Sequence, residues 1–267
     1  MSAMAFDTRT IGTAIEVVAA EVAGMLRMPG AAEKRIPRSE WTLGQAAAHI
    51  ALAQTAFAQI LKGAESPFGE GRVHDFAPVN AKYLSMFTER DGPTLAGLIE
   101  ERTLAYLDEV VSLPPDHMVS HHWGKTRVDQ WSSYMLFHLL MHGCAMAKAV
   151  KRPPPVRPEY APLLVPFLKM VTPRMFDPGK AKRLKACFDV RVRGQGRFFV
   201  TVDSDRAEFH DSSPRRADCH LSVDPVAFFM VAGGVISQWG PILKGQMLAW
   251  GRKPWLAFRF KSMFPNP

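Results

Sequence analysis

The sequence predicts two domains: an all-α four-helix bundle, then a mixed α+β domain. Three observations point there. The first 150 residues carry long segments with apolar residues at helical spacing and no convincing strand. Residues 151–162, KRPPPVRPEYAP, place five prolines in twelve positions. Beyond them the period changes, and apolar and polar residues alternate in short runs bounded by turn formers. At 267 residues, 47% hydrophobic and 22% charged, the chain holds enough apolar material for two ordinary cores.

Residues 7–28 read as the first helix, with Asp7 or Thr8 as N-cap and Pro29-Gly30 as the stop. Residues 40–63 read as the second, where Ser39 caps, Trp41 opens the apolar face and Lys62-Gly63 closes. A Gly- and Pro-rich stretch, 64–78, leads to a short helix at 79–88 and a longer one from Pro93 to Leu113, before Pro114-Pro115. The fourth long helix spans Arg127 to Val150. The proline run then disfavours helix and central strand alike and is read as a linker, which sets domains at 1–150 and 163–267. In the second domain a short helix (162–175) precedes the strands CFDVRVRG, RFFVTVD and CHLSVD. Asp224 caps the helix DPVAFFMVAGG, with Pro225 at its first position and Gly233 at its end. The strand GQMLAWG and the helix KPWLAFRFKSMF complete an α+β order. VRGQGR carries only part of a dinucleotide fingerprint and reads as a hairpin turn.

Charge separates the halves. Residues 1–150 hold 13 Lys/Arg against 16 Asp/Glu, and residues 151–267 hold 20 against 9, so about −3 stands beside +11. Only the second half favours anions. Nucleic acid is not expected, because Lys180, Lys182, Arg183 and Lys185 form one short cluster without interleaved aromatics or a recognition motif. No run approaches the roughly 20 apolar residues of a membrane span. The start, MSAMAFDTRT, lacks the pattern of a secretory signal, so a cytoplasmic protein is expected. Cys144, Cys187 and Cys219 are odd in number and without CxxC spacing, as reduced packing thiols would be.

The strongest chemical signal is HLLMH. His138 and His142, at i and i+4, share one helix face a turn apart, where two imidazoles can converge on one ion. The stripe Val128, Trp131, Met135, His138, His142, Ala145, Ala149 steps by three and four, which turns that face inward. The spacing by itself also fits two hydrogen-bonded core histidines. A third ligand has to come from another helix, and His49, on a stripe with Ala46, Ala53 and Ala56, is the candidate. Three imidazoles with an open position suit zinc first, with nickel or iron also admissible. His121 and His122 are adjacent and are expected in a solvated loop; His74, His117, His210 and His220 are read as structural or exposed. Trp123, Trp131, Tyr134 and Phe137 crowd the approach to the histidine helix, chiefly as packing.

Trp41 followed eight residues later by His49, with an HxxxH late in the fourth helix, resembles the DinB-like and mycothiol-dependent maleylpyruvate isomerase superfamily over roughly residues 8–150. The resemblance implies a metal held by His49, His138 and His142. The isomerase branch typically has glutamate at the middle position; His138 there looks more like the DinB type. From residue 186 onward, Asp218, Leu221 and Val223 before an apolar helix, then Gly245 and Gly251 around a strand, resemble the sterol carrier protein type 2 superfamily. That resemblance implies an apolar tunnel, for which Phe228, Phe229, Met230, Met247, Trp250, Phe258 and Met263 are candidates. Together the resemblances imply a metal-dependent transferase or isomerase that uses mycothiol or another low-molecular-weight thiol on a small electrophile. A lipid or acyl carrier is the alternative. A metal-assisted hydrolase, with Glu16 or Glu21 as base, is the second.

Overall fold

The computed structural model describes residues 8–69, 71, 73–114 and 116–264. Asp7 as a cap, Pro115 and the side chain of His74 therefore lie outside the described residues. The chain divides into two compact units, one ending at Val156 and the other starting at Arg157.

In the first unit, helices α1 (Thr8–Leu26), α2 (Leu43–Leu61), α3 (Val73–Met86) and α4 (Gly92–Ser112) are followed by strands β1 (Met118–His121) and β2 (Gly124–Arg127), then helix α5 (Val128–Ala149). Helix α1 packs on α4 and α5, α2 packs on the same two, and α3 lies against α2. The unit is thus not all-α as expected. An antiparallel hairpin, pairing Met118 with Arg127 and His121 with Gly124, sits between α4 and α5. Its strands are four residues long and carry His, Lys and Arg, so the alternation that announces a strand is too short to read.

Helix α2 starts later than expected because its cap is Thr42, not Ser39. The Thr42 hydroxyl accepts the Gln45 N–H at 3.2 Å, and Gln45 Oε1 accepts the Thr42 N–H at 2.9 Å, which completes a capping box. Trp41 consequently precedes the helix instead of opening its apolar face. Ala46, Ala47, Ala48 and Ala51 are fully buried along α2, and side chains this short let it lie close to its neighbours. The turn into α4 is tighter still: a Cβ on Gly92 would stand 2.4 Å from the carbonyl oxygen of Leu26.

In the second unit, helices α6 (Ala161–Val171) and α7 (Pro178–Ala181) precede strands β3 (Lys185–Val192), β4 (Gly196–Asp203), β5 (Arg206–His210) and β6 (Cys219–Val223). Helices α8 (Pro225–Ala232) and α9 (Trp239–Leu243), strand β7 (Met247–Trp250) and helix α10 (Ala257–Phe260) follow. The five strands form one sheet in the order β5-β4-β3-β6-β7. Strands β3 and β6 are parallel, and the remaining neighbours are antiparallel. VRGQGR is the β3–β4 hairpin turn, with Gly194 and Gly196 at positive φ. The Asp224 carboxylate accepts the Ala227 N–H at 3.0 Å and starts α8, whose C-cap is Gly233. Strand β5, RAEFH, was not foreseen. It lies at a sheet edge, where charged side chains meet solvent and break the apolar alternation. The last segment is not one helix but a short α-turn between two 3₁₀ turns.

The central strand β3 buries a charge. Asp189 is fully buried and accepts hydrogen bonds from Arg197 at 2.6 Å, Arg191 at 2.9 Å and His220 Nδ1 at 2.6 Å. Asp218 accepts the Cys187 N–H at 3.0 Å and pairs with Arg252 and Lys253. Gly251, at φ 113°, passes so close that a Cβ would meet His220 Cδ2 at 2.9 Å. The basic excess of this half is therefore partly committed to holding two carboxylates inside the fold. All three cysteines are free and buried; burial pushes the Cys144 thiol up to about 12 and the Cys219 thiol up to about 11.

Candidate metal centre

Helices α2 and α5 bring His49, His138 and His142 together. Their ring centroids are 5.0 Å (His49–His138), 4.8 Å (His49–His142) and 4.5 Å (His138–His142) apart. One nitrogen from each lies within 4.8 Å of the others, and among the described residues this is the group able to hold an ion. The Nε2 atoms of His49 and His138 are 3.0 Å apart.

The helical spacing explains the pair but not its depth. On α5 the fully enclosed stripe runs through Met135, Leu136, Leu139 and Leu140 to Met146 and Ala147, whereas His138 and His142 occupy the half-buried flank beside it. The expected stripe holds at Val128, Trp131 and Met135, but from His138 onward the deepest places lie one position along, at Leu139, Gly143, Met146 and Val150. From that flank the imidazoles reach α2, where His49 is 8% exposed. Trp41 closes the outer side: its ring is 5.1 Å from that of His49 and stacks on His142 at 6.2 Å. Phe57 stands 5.9 Å from His138, and Tyr134 stands 6.5 Å from it. Of the expected aromatic neighbours, Trp131 is core, 1% exposed, with its indole N–H donated to the Phe57 carbonyl at 3.2 Å.

Enclosure sets the protonation state. Burial holds His49 and His138 well below the ordinary imidazole range, with the nearby His142 reinforcing it, and takes His142 down to about 4. Three neutral imidazoles thus share the space. Two Nε2 lone pairs at 3.0 Å repel unless a proton or a cation lies between them. A single N–H···N bond serves one pair and leaves the third ring out, while one cation serves all three. His138 Nδ1 is also buried and has no hydrogen-bond partner among the described residues. The donor set, three nitrogens and no carboxylate, fits a borderline-soft divalent ion.

Other sequence candidates fall elsewhere. Glu16 is exposed, and neither it nor Glu21 belongs to the three-nitrogen group. His121 and His122 are not solvated; they are 9% and 7% exposed. His121 ends β1 and His122 opens the turn, so strand alternation does not send the two rings to opposite faces. His121 Nε2 is 3.0 Å from the Thr126 hydroxyl, and His122 Nδ1 is 2.9 Å from the Ser66 hydroxyl. Ser66 had no signal in the sequence, being 56 residues from its partner. His210 Nε2 meets the Thr201 hydroxyl at 2.8 Å, and His220 serves Asp189. The tunnel candidates separate: Phe229 and Met263 are core, whereas Trp250 and Phe258 are 41% and 50% exposed.

No family model matches the chain, and no curated protein does. Among solved structures, a mycothiol-dependent maleylpyruvate isomerase shares 11% identity, with 84% of this chain and 88% of that one covered at a TM-score of 0.50. A histidine-to-alanine variant of the mycothiol-dependent isomerase shares 10% identity, with 87% and 91% covered at 0.53. At such identity the likeness is one of fold. A ubiquinone synthesis protein, UbiJ-SCP2, matches 38% of this chain and 96% of its own length at 13% identity and a TM-score of 0.30.

Proposed function

We propose that the chain is a metal-dependent transferase or isomerase that uses a low-molecular-weight thiol, mycothiol first, on a small electrophile. The observation that carries the reading is the convergence from two helices of three neutral imidazoles, His49 buried and His138 and His142 half-buried. The fold shared with a mycothiol-dependent isomerase supports the choice of thiol. A divalent ion held there, zinc by preference with nickel or iron as alternatives, would favour the thiolate form of a bound thiol.

The chain's own residues do the rest. The three imidazoles act as ligands, since burial leaves their nitrogens unprotonated at neutral pH. They contribute no negative charge, so the ion's full charge remains to attract an anionic sulfur. Trp41 and Phe57 exclude water from the flanks of the cluster. In the metal-loaded protein, His142→Ala is expected to bring ion content, measured by plasma mass spectrometry, close to background, and turnover of thiol plus electrophile with it. Full turnover in a metal-free variant would overturn the mechanism.

A second reading, a lipid or acyl carrier, draws on the exposed Trp239, Leu243, Leu248 and Trp255 of the C-terminal unit. Native mass spectrometry separates the two. A co-purified lipid with no response to thiol favours the carrier.

A further inference from the structure

The C-terminal unit gathers apolar side chains on its surface. Among the described residues, six of the twelve large apolar side chains that are exposed fall within residues 239–258: Trp239, Leu243, Leu248, Trp250, Trp255 and Phe258. They stand on successive elements that touch one another. Trp239 stacks on Phe258 with ring centroids 5.6 Å apart, and Gln238 Nε2 donates to the Phe258 carbonyl at 3.4 Å. Helix α9 packs against β7, and β7 packs against the 3₁₀ turn Pro254–Leu256 that carries Trp255. Leu243, the last residue of α9, is 87% exposed, and Trp255 is 59% exposed. Apolar side chains scattered singly over a surface need no explanation, whereas a group drawn together in this way marks a surface of contact.

Charge indicates the kind of contact. From Pro225 to Pro267 the sequence has five Lys/Arg and no Asp/Glu. Lys244, directly after Leu243, is exposed and pairs with no carboxylate among the described residues. The carboxylate nearest in the fold to Arg252 and Lys253, that of Asp218, is shared by both. Arg259, next to Phe258, donates to the carbonyls of Ala181 at 2.9 Å and Lys180 at 3.3 Å. This brings the exposed Lys180, Lys182 and Arg183, a basic cluster with no other assigned role, beside α10. A second copy of the chain is a poor occupant, because a two-fold interface sets the same patch on itself and would press cations against cations. Indole rings and leucines rimmed by Lys/Arg suit the interface of a bilayer with anionic headgroups: the indoles sit at headgroup level, the apolar tips reach the acyl boundary and the cations meet the headgroup charges. Among the described residues no helix is long and apolar enough to cross a membrane, so such a contact is peripheral.

We propose that this surface docks the protein on an anionic membrane, with Trp239, Leu243 and Trp255 entering the boundary between headgroups and acyl chains and Lys244, Lys180 and Lys182 meeting the headgroups. The proposal stands apart from the thiol reading, since no residue of the three-histidine cluster takes part. It also differs from carriage of a lipid: docking needs no internal cavity, and the lipid stays in the bilayer.

Co-sedimentation of the full-length protein with vesicles tests this. Wild type is expected to sediment with phosphatidylcholine vesicles that contain about one third phosphatidylserine, with a blue shift of its tryptophan emission, and to bind phosphatidylcholine alone at least about tenfold more weakly. Binding to the anionic vesicles should fall as salt is raised, because screening weakens attraction between exposed charges. Leu243→Asp, at a side chain too exposed to support the fold, is expected to lower the partition coefficient at least about tenfold. Lys244→Glu, which removes one positive charge and adds a negative one, is expected to lower it about tenfold as well. Both variants should keep the thermal midpoint of wild type. Absence of binding to the anionic vesicles, equal binding to neutral ones, or undiminished binding by Leu243→Asp would overturn the proposal. A dimer in sedimentation equilibrium that Leu243→Asp dissociates, without vesicle binding, would give the surface to a second copy instead. A soluble protein–lipid complex with no sedimented protein would also overturn docking and leave carriage in its place.

Discussion

At the scale of residues, the candidate centre depends on a few side chains whose partners lie far away in sequence. Trp41 is the clearest case: it precedes α2 because Thr42 and Gln45 form the cap, and this places its ring over His49 and His142. Removing that cover admits water to the outer face of the imidazoles. Trp41→Ala is expected to raise the rate of metal loss to a chelator about tenfold, as loss of groups around a metal's ligands commonly does, while Trp41→Phe changes it little. The i, i+4 pair was legible because helical spacing is a local property. His121 and His122 were misread for the same reason, since a two-residue turn, not local spacing, directs both rings inward.

At the scale of elements, close approach decides what can vary. Gly92 opens α4 where a Cβ would stand 2.4 Å from a backbone oxygen, and backbone cannot yield as a flexible side chain does. Gly92→Ala is expected to destabilise the helical unit by about 1–3 kcal/mol, read as a shifted chemical-denaturation midpoint. Gly97 on the same helix has nothing within 4 Å of its Cβ position, so Gly97→Ala should be neutral or stabilising. The long helices could be read from apolar periodicity and from Pro and Gly at their ends. The hairpin before α5 and the edge strand β5 could not, because short or charged strands derive their hydrogen bonds from partners and not from an internal pattern.

At the scale of the molecule, the two units carry separate chemistry. All three imidazoles precede Val156, so a fragment ending there is expected to fold and to bind one equivalent of zinc by calorimetry. The second unit has its own electrostatic anchor. Burial alone would raise the Asp189 pKa, but hydrogen bonds from Arg197, Arg191 and His220 outweigh it and hold the carboxyl well below the usual range. A folded pKa below the unfolded value of about 3.9 gives stability that is complete above that pH and is lost as pH falls toward the folded value. Asp189→Asn is expected to cost about 1–3 kcal/mol at pH 7, kept modest because Arg191 and Arg197 are half in solvent. Its transition should also lose the acid dependence below about pH 4 that wild type shows in denaturant titrations.

By itself the sequence determined the long helices, the proline run at 151–162, the cap of α8, the hairpin turn at VRGQGR and the candidacy of three histidines, because each rests on neighbours a few residues apart. Only the tertiary structure decided that the rings of His49, His138 and His142 meet, that Trp41 covers them, that Asp189 is buried among cations and that Trp239 stacks on Phe258 at the surface. Those features depend on pairs separated by up to 101 residues, as Trp41 and His142 are, and on which side of a helix is buried deepest. Packing of whole elements against one another sets both.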